Sequence, residues 1–274
     1  MSDFFNILFC GDVVGRSGRD AISRYLPEIH TNMDIEFTIV NGENAAAGFG
    51  ITPEICLEFY KLGIDVITTG NHIWDQKEIV SYISKDNRLL RPLNYPTSNP
   101  GSGQSIYTSK TGYKICVMNL MTRLFMDSLD DPFAHAKVLR DQSLLSRECD
   151  AIFIDIHGEA TSEKASMAHF LDGHVSAVLG THTHVPTADY RILPKGTAFM
   201  TDAGMCGDYD SVVGMDKDIA TAKFLYKMPA RLKPAAGEGT LSGAVVSVSH
   251  ETGLAKKIQP IRLGPHLSEV APWK

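Results

Sequence analysis

The stretch Ala177-Val178-Leu179-Gly180-Thr181-His182-Thr183-His184-Val185 places two histidines directly after a short apolar run. The run is typical of the end of a buried strand, and Gly180 frees the backbone where that strand ends. In extended backbone, side chains at positions i and i+2 project to the same side, so His182 and His184 are predicted to aim at one point. Ligands of open α/β sheets bind at the carboxyl ends of strands. The stretch therefore indicates a metal site, although two surface histidines would give the same pattern.

The same succession of apolar strand, glycine or small turn, and polar side chain recurs elsewhere in the chain. Strands are predicted at residues 6–10, 35–40, 66–69 and 151–156, and the polar residues that follow them are Asp12, Glu43, Asn44, Asn71, His72 and His157. Carboxylate, amide and imidazole groups suit a first-row divalent metal, and the lack of thiolates argues against a structural zinc–cysteine site. The candidates outnumber the ligands of one tetrahedral ion. One carboxylate that bridges two ions would use them economically.

Composition excludes several classes of function. The chain has 274 residues, of which 43% are hydrophobic and 21% charged, as in an ordinary soluble globular protein. Its formal net charge of −6 argues against a broad nucleic-acid-binding surface, because phosphate neutralisation needs clustered basic residues. A small anionic substrate remains compatible with this charge, since bound cations dominate the local field.

The cysteines and the apolar segments bear on location. The five cysteines are odd in number, widely spaced and form no CxxC motif, so they are predicted to be reduced and mostly buried in a cytoplasmic protein. No stretch approaches the ~18 apolar residues of a membrane span, so no membrane partner is expected.

The rest of the chain predicts one α/β domain, residues 1–274, with a mixed sheet or two packed sheets. Gly15, Arg16 and Gly18 are expected in a loop before the first helix, and Thr52 with Pro53 is expected to start another. Further helices are predicted from Pro132 to about residue 148, at 161–171 with a cap at its first residues, and at 217–227. A hairpin is predicted at 190–201, and two antiparallel strands at 243–249 and 256–263.

Taken in order, these motifs resemble the calcineurin-like metallophosphoesterases. The resemblance is carried by Gly11-Asp12, Gly42-Glu43-Asn44, Gly70-Asn71-His72, His157 and Gly180-Thr181-His182-Thr183-His184. It is closer to the YmdB-like bacterial subfamily, through Asn41-Gly42-Glu43-Asn44-Ala45-Ala46, Gly70-Asn71-His72-Ile73-Trp74-Asp75 and His157-Gly158-Glu159-Ala160-Thr161-Ser162-Glu163-Lys164. Two departures from the superfamily pattern, Val14 in place of a histidine ligand and Glu43 in place of the bridging aspartate, are shared by that subfamily.

The resemblance implies an αββα sandwich of two mixed sheets flanked by helices, and two metal sites. Asp12, Glu43 and His184, with Asn44 as a candidate for the vacancy at Val14, would hold one ion, and Glu43, Asn71, His157 and His182 the other. His72 matches the non-ligand histidine that donates a proton or contacts phosphate. The ions are expected to be divalent or mixed-valence iron or manganese, with zinc and magnesium as alternatives.

The implied activity is phosphodiester hydrolysis by a metal-bridging hydroxide, with cyclic nucleotides, and 2′,3′-cyclic ones in particular, as the favoured small substrates. Two alternatives stay open: a metal-binding regulatory protein whose hydrolysis is incidental, and a phosphomonoesterase. A homo-oligomer is compatible with the resemblance, but the sequence holds no dimerisation signature.

Several neighbouring residues have no assigned role at this point. Glu159, Thr161 and Lys164 either shape the pocket or cap the following helix, and capping is favoured. Asp202 and Asp208 are candidates for the pocket lining, and Arg16 for a phosphate contact. The segment around Arg16 lacks both the G-x-G-x-x-G spacing and a GK[ST] ending, which argues against a nucleotide-binding fingerprint.

Overall fold

A computed structural model describes residues 3–274. The strands are β1 Phe4–Cys10, β2 Asp12–Val13, β3 Ile35–Asn41, β4 Val66–Thr68, β5 Gln104–Thr108, β6 Lys114–Met121, β7 Ala151–His157, β8 Ala177–Thr181, β9 Arg191–Ile192, β10 Ala198–Met200, β11 Met205–Cys206, β12 Leu241–Ser249 and β13 Ala255–Leu263. The helices are α1 Gly15–Met33, α2 Pro53–Lys61, α3 Ile79–Tyr82, α4 Pro132–Gln142, α5 Thr161–Phe170 and α6 Lys217–Tyr226, and a 3-10 helix, Ile83–Lys85, follows α3.

The strands form two mixed sheets and one small ribbon. The first sheet has the order β13-β12-β1-β3-β4, in which β1, β3 and β4 are parallel and β12 runs antiparallel to both of its neighbours, β1 and β13. The second has the order β5-β6-β7-β8-β10-β9, with four central parallel strands and an antiparallel strand at each edge. The ribbon pairs β2 with β11, so that Met205 lies beside Asp12.

The two sheets pack face to face, and alternation along each strand determines which side chains meet. Ile7 and Phe9 of β1 point into the layer between the sheets, where Phe9 contacts Phe153 at 5.0 Å between ring centroids. The intervening Leu8 points outward, against the helices α1 and α2. On the other sheet, the outward-facing Met118 packs against α4 and α5. The predicted αββα sandwich of two mixed sheets is therefore confirmed.

Two predicted helix boundaries are wrong. Helix α1 begins at Gly15 rather than after Gly18, because the Gly15 N–H donates to the Asn44 carbonyl at 2.9 Å and the Gly18 N–H already donates to the Val14 carbonyl. Helix α4 ends at Gln142 and not near residue 148, because Ser143 adopts a left-handed conformation that stops the helix (φ 51°).

The predicted cap of α5 is also wrong. Ala160 occupies the N-cap position and its side chain forms no capping hydrogen bond, so Thr161 is already the first helical residue. Glu163 turns away from the helix end. Its carboxylate accepts hydrogen bonds from the backbone N–H groups of Arg123 and Leu124, and thereby fixes the loop that follows β6.

Other predictions are confirmed. Thr52 caps α2 by accepting a hydrogen bond from Ile55, the 190–201 hairpin and the two C-terminal antiparallel strands are present, and all five cysteines are buried thiols. Among residues 3–274, no helix combines the length and apolar character needed to cross a bilayer.

Candidate metal centre

The polar residues that follow the strands converge at the carboxyl edge of both sheets. Donor atoms of Glu43, His157 and His182 lie within 4.8 Å of one another, and so do those of Asp12, Glu43 and His184. Glu43 belongs to both groups, as expected of a bridging carboxylate. The first sheet and its ribbon supply the acidic residues, and the second sheet supplies the three histidines.

The two asparagines lie in the same cluster. The Asn71 Oδ1 atom is 3.0 Å from Nε2 of His157, and the Asn44 side-chain nitrogen donates to Glu43 Oε1 at 3.0 Å. The same Asn44 nitrogen lies 3.1 Å from Nε2 of His184. In this conformation Asn44 is a hydrogen-bond donor, and its role as a metal ligand would require the amide to turn so that its oxygen faces the centre.

Gly70 allows this close assembly. A Cβ atom at that position would lie 2.3 Å from both Glu43 Oε2 and His157 Nε2, which no side chain tolerates. The glycine that precedes Asn71 is thus required by the approach of the β4 backbone to the centre.

The two-histidine segment is not extended, which corrects the reason given for its geometry. His182 and His184 have φ angles of 104° and 65°, in the left-handed region that non-glycine residues rarely adopt. Both imidazoles nonetheless face the centre: His182 Nδ1 lies 3.1 Å from His157 Nε2, and His184 faces Asn44. Such strain persists only when surrounding contacts impose it.

A buried ion pair supplies those contacts. The Lys164 ammonium, fully buried, donates to the Thr181 carbonyl at 2.7 Å and to Asp202 Oδ2 at 3.0 Å. The same Asp202 oxygen accepts the Thr183 N–H at 3.0 Å, between the two histidines. The favoured capping role of Lys164 is therefore wrong: it fixes the histidine segment. No local pattern reveals this, because the ion pair spans 38 residues of sequence.

Two of the three imidazoles have their second nitrogen hydrogen-bonded to a protein acceptor. His157 Nδ1 lies 2.9 Å from the Thr181 hydroxyl, which in turn donates to Asp155 at 2.6 Å. His184 Nδ1 donates to the Val213 carbonyl at 2.8 Å. His182 Nε2 lies 3.5 Å from Glu159. Acceptors of this kind orient metal-ligating histidines and fix their tautomer.

Asp155 is the centre of a network that the sequence did not reveal. Besides the Thr181 hydroxyl, its buried carboxylate accepts hydrogen bonds from Asn41 at 2.9 Å and from Thr68 at 2.5 Å. Three strands, β3, β4 and β8, are thereby joined to β7 beneath the cluster. Burial raises the pKa of Asp155 above its usual value, against the hydrogen bonds that lower it.

The electrostatics of the cluster fit a cation. Burial opposes the charge on Glu43, yet the nearby histidines, His157 foremost, lower its pKa to about 2. Burial likewise opposes a charge on His157, but Glu43 3.2 Å away raises its pKa to about 9. Burial raises the pKa of Asp12 to about 7, against the attraction of His184 and His157.

A buried carboxylate oxygen of Asp12 without a hydrogen-bond partner also fits a bound cation. Asp12 Oδ2 accepts the His182 N–H at 3.0 Å, whereas Oδ1 is buried without a hydrogen-bond partner. The nearest imidazole nitrogen to Oδ1, Nδ1 of His157, is 3.8 Å away, which is too far for a hydrogen bond. A buried, unsatisfied carboxylate oxygen among such groups fits the chemistry of a metal site.

A cleft of about 530 Å³ opens above the cluster. Its polar lining residues are Glu43, Asn44, His72, Glu159, His182, Thr183 and His184, and its apolar lining residues are Phe49, Val185, Val213, Met215 and Leu232. Glu159 thus belongs to the cleft and not to a helix cap. Arg16 is exposed and does not line the cleft, and neither do Asp202 and Asp208. Asp208 instead accepts the N–H groups of Asp210 and Gly237.

His72 stands at the rim of the cleft with a defined orientation. Its Nδ1 atom lies 2.9 Å from Asp75, its backbone N–H donates to Glu43 at 3.3 Å, and its ring meets Phe49 edge-on. Because Asp75 occupies Nδ1, the nitrogen left for a ligand is Nε2.

Comparisons with known proteins identify relatives of this chain. The chain is 47% identical over 255 residues to the 2′,3′-cyclic-nucleotide 2′-phosphodiesterase of Bacillus subtilis (strain 168), covering 93% of this chain and 96% of that one. It is 35% identical over 268 residues to a putative phosphatase/phosphodiesterase of Mycoplasma genitalium, covering 95% and 94% of the two chains.

Solved structures show the same fold. A crystal structure of a novel phosphatase from Mycoplasma pneumoniae matches with a TM-score of 0.88 and 33% identity, covering 99% of this chain and 96% of that one. A hypothetical protein from Thermus thermophilus matches with a TM-score of 0.86 and 38% identity, covering 94% and 99%. The family model described as YmdB-like protein matches residues 8–261, which include every residue of the cluster. With this match added to the strand-end motifs, the chain belongs to the YmdB-like family.

Proposed function

We propose that this protein is a metal-dependent phosphoric diester hydrolase that opens 2′,3′-cyclic nucleotides. The observation that carries the proposal is the shared carboxylate of Glu43, whose oxygens face both ligand groups at the floor of an open cleft. The relative from Bacillus subtilis, named for this activity, supports the choice of substrate.

Two cations are proposed, as iron or manganese. One would be held by Asp12, Glu43 and His184, with Asn44 beside it, and the other by Glu43, Asn71, His157 and His182. When bound, two such ions clamp a phosphate and lower the pKa of the attacking water.

The chain's own residues orient the substrate and move protons. The cyclic phosphate would lie against the polar residues of the cluster, and the nucleoside against the apolar lining residues of the cleft. In the reaction, a water oxygen bonds to phosphorus, the bond from phosphorus to the 2′ oxygen breaks, and a 3′-phosphate remains. We assign to His72 Nε2 the proton that the departing 2′ oxygen takes up, with Asp75 holding the other ring nitrogen.

The experiment is hydrolysis by the manganese- or iron-loaded protein. We expect turnover of 2′,3′-cyclic AMP and of bis-p-nitrophenyl phosphate, and loss of both activities in Glu43→Gln, which keeps the size of the side chain but weakens the bridge. His72→Asn should lower kcat while the metal content stays at two ions per chain. Full activity in Glu43→Gln would refute the proposal.

The same assay separates the alternatives. A phosphomonoesterase would hydrolyse p-nitrophenyl phosphate faster than the diester under identical metal loading. A metal-binding regulatory protein would carry the ions and show no useful turnover of any phosphodiester.

A further inference from the structure

An arm of the chain stands beside the cleft, and Leu232 is its one described residue that lines the site described above. It comprises residues 216–233, that is, α6 and the segment after it, and its two ends are joined by the hydrogen bond from the Asp216 N–H to the Lys233 carbonyl at 2.9 Å. Met215 and Leu232, at the base of the arm, are among the apolar lining residues of the cleft. The arm therefore extends directly from the cleft wall.

The surface of the outer part of the arm, residues 222–233, is apolar and basic. Phe224, Leu225, Tyr226 and Met228 are 68–71% exposed, although each is large and hydrophobic. Residues 222–233 contain four basic side chains, Lys223, Lys227, Arg231 and Lys233, and no acidic one, in a chain of net charge −6. Within the described residues, none of these four forms an ion pair, and Lys227 lies over the Phe224 ring at 5.7 Å.

We propose that the arm binds single-stranded RNA that ends in a 2′,3′-cyclic phosphate, and that such RNA ends are substrates of the neighbouring cleft. This proposal rests on the proposed function. Charge and ring chemistry favour it: unpaired basic side chains attract a phosphate backbone, and exposed aromatic faces stack on unpaired bases. α6 alone is about 15 Å long, at about 1.5 Å per residue over ten residues.

The position of the arm favours RNA over other occupants. A 2′,3′-cyclic phosphate forms when an RNA 2′-hydroxyl attacks the adjacent phosphodiester and expels the next nucleotide, so the group stands at a 3′ end with a polynucleotide behind it. A cleft that accepts the end needs a surface for the nucleotides that precede it. The reaction that supplies this substrate is then RNA cleavage by transesterification. A membrane or a second copy of the chain would not require the arm to start at the cleft wall.

The test compares an octanucleotide that ends in a 2′,3′-cyclic phosphate with 2′,3′-cyclic AMP, on the manganese-loaded protein. We expect the KM of the octanucleotide to be about tenfold lower, since each base that stacks on an exposed ring strengthens binding. The charge variant Lys223→Gln/Lys227→Gln/Arg231→Gln and the ring variant Phe224→Ala/Tyr226→Ala should raise that KM about tenfold. Both should leave kcat/KM for the mononucleotide within about twofold, because none of the five residues lines the cleft.

A matched control removes three charges elsewhere. Lys110, Lys256 and Lys257 are exposed, and the pairing of β13 places the last two at the end of the sheet away from the cleft. Lys110→Gln/Lys256→Gln/Lys257→Gln should leave both KM values unchanged. Fluorescence anisotropy with a labelled octanucleotide 3′-phosphate adds a readout independent of turnover. The slope of log affinity against log salt should fall by about 2 in the charge variant, at ~0.7 per contact.

Equal KM values for the two substrates, unaffected by either arm variant, would overturn the proposal. So would a charge variant that only loses binding to vesicles of about 30% phosphatidylglycerol, or one that only dissociates an oligomer in sedimentation velocity. If 2′,3′-cyclic AMP is not hydrolysed but the octanucleotide still binds through the arm, the proposed function fails and the binding surface stands.

Discussion

The hydroxyl oxygen of Thr181 lies 2.9 Å from Nδ1 of His157. The Thr181 hydroxyl donates its proton to Asp155, so its oxygen accepts the hydrogen bond from His157 Nδ1. The other ring nitrogen of His157, Nε2, is therefore left for the metal centre. Thr181→Val keeps the shape but removes this acceptor. We expect the metal content to fall towards one ion per chain and activity to drop about tenfold to hundredfold, the usual effect of losing such a partner. Elemental analysis, and the ¹⁵N shifts of the His157 ring, measure the two effects.

Two further variants show whether the hydroxyl itself is responsible. Thr181→Ser restores the acceptor and should retain both ions. Thr68→Val removes another hydrogen bond to Asp155 but touches no histidine, and should also retain them. A Thr181→Val protein with two tightly bound ions and an unchanged His157 spectrum would contradict this role.

Gly70→Ala should abolish the centre. The added methyl group would lie 2.3 Å from Glu43 Oε2 and His157 Nε2, so the β4 backbone and the ligands must separate. We expect loss of bound metal and of hydrolysis, measured by elemental analysis and the diester assay. Gly207→Ala is the matched control, because its nearest neighbours would be at 3.4 Å or beyond. Wild-type metal binding by Gly70→Ala would show that the centre is arranged differently.

The Lys164–Asp202 pair should affect stability and metal binding separately. Lys164→Met leaves a buried carboxylate unpaired and should cost about 3–5 kcal/mol in urea unfolding. Lys164→Met/Asp202→Leu should recover most of that stability. Its metal affinity should stay low, because the Thr183 N–H between the two histidines has lost its acceptor.

The exposed pair of Lys137 and Asp141 provides the comparison, since solvent screens it and Lys137→Met should leave the urea midpoint almost unchanged. Full metal affinity in the double variant would mean that the histidine segment holds its left-handed conformation without the pair.

Stability of the metal-free protein should fall as the pH rises from 6.5 to 9. Burial opposes the charge on His157, but Glu43 raises its pKa to about 9 in the folded protein, above the ordinary 6.5. The folded state therefore binds more protons than the unfolded state in this window, so its stabilisation is complete below pH 6.5 and is lost through about pH 9.

Two other groups of the cluster act mainly below this window. Asp12, with its pKa raised to about 7 by burial, adds to the fall only up to that pH, and His182, with its pKa lowered to about 3 by burial and His157, acts in the opposite direction below 6.5. Urea unfolding in EDTA measures the slope. Bound manganese should remove the pH dependence of stability, because the ion takes the place of the proton on His157. The variant His157→Gln should also reduce this pH dependence. A slope that persists in His157→Gln would assign it to another group.

Much of the site could be predicted because each candidate ligand is marked by a short, local sequence pattern. Each ligand type follows an apolar run of strand length and a small residue, as at Gly11-Asp12 and Gly70-Asn71, and parallel strands place such ends together. The resemblance then gave the grouping around Glu43. The roles of these residues as ligands stay proposals.

The supporting contacts could not be predicted because they join distant parts of the chain. Asn41 reaches Asp155 across 114 residues, and the buried charge of Lys164 finds Asp202 across 38. In sequence, a lysine on a short helix looks like any exposed one. The left-handed histidines were missed for the same reason: local pattern favours extended backbone, and tertiary contacts override it.

The ligand set is divided between the two sheets: Asp12, Glu43 and Asn71 follow strands of the first sheet or its ribbon, and His157, His182 and His184 those of the second. Bound metal would thus connect the two sheets of the sandwich across the interface between them. During synthesis, the complete set of ligands could not assemble before residue 184 has been made. Substitutions in the core between the sheets, such as Phe9→Ala opposite Phe153, should weaken metal binding even though they lie far from the ligands. Measured loss of metal would then report damage to the packing of the two sheets.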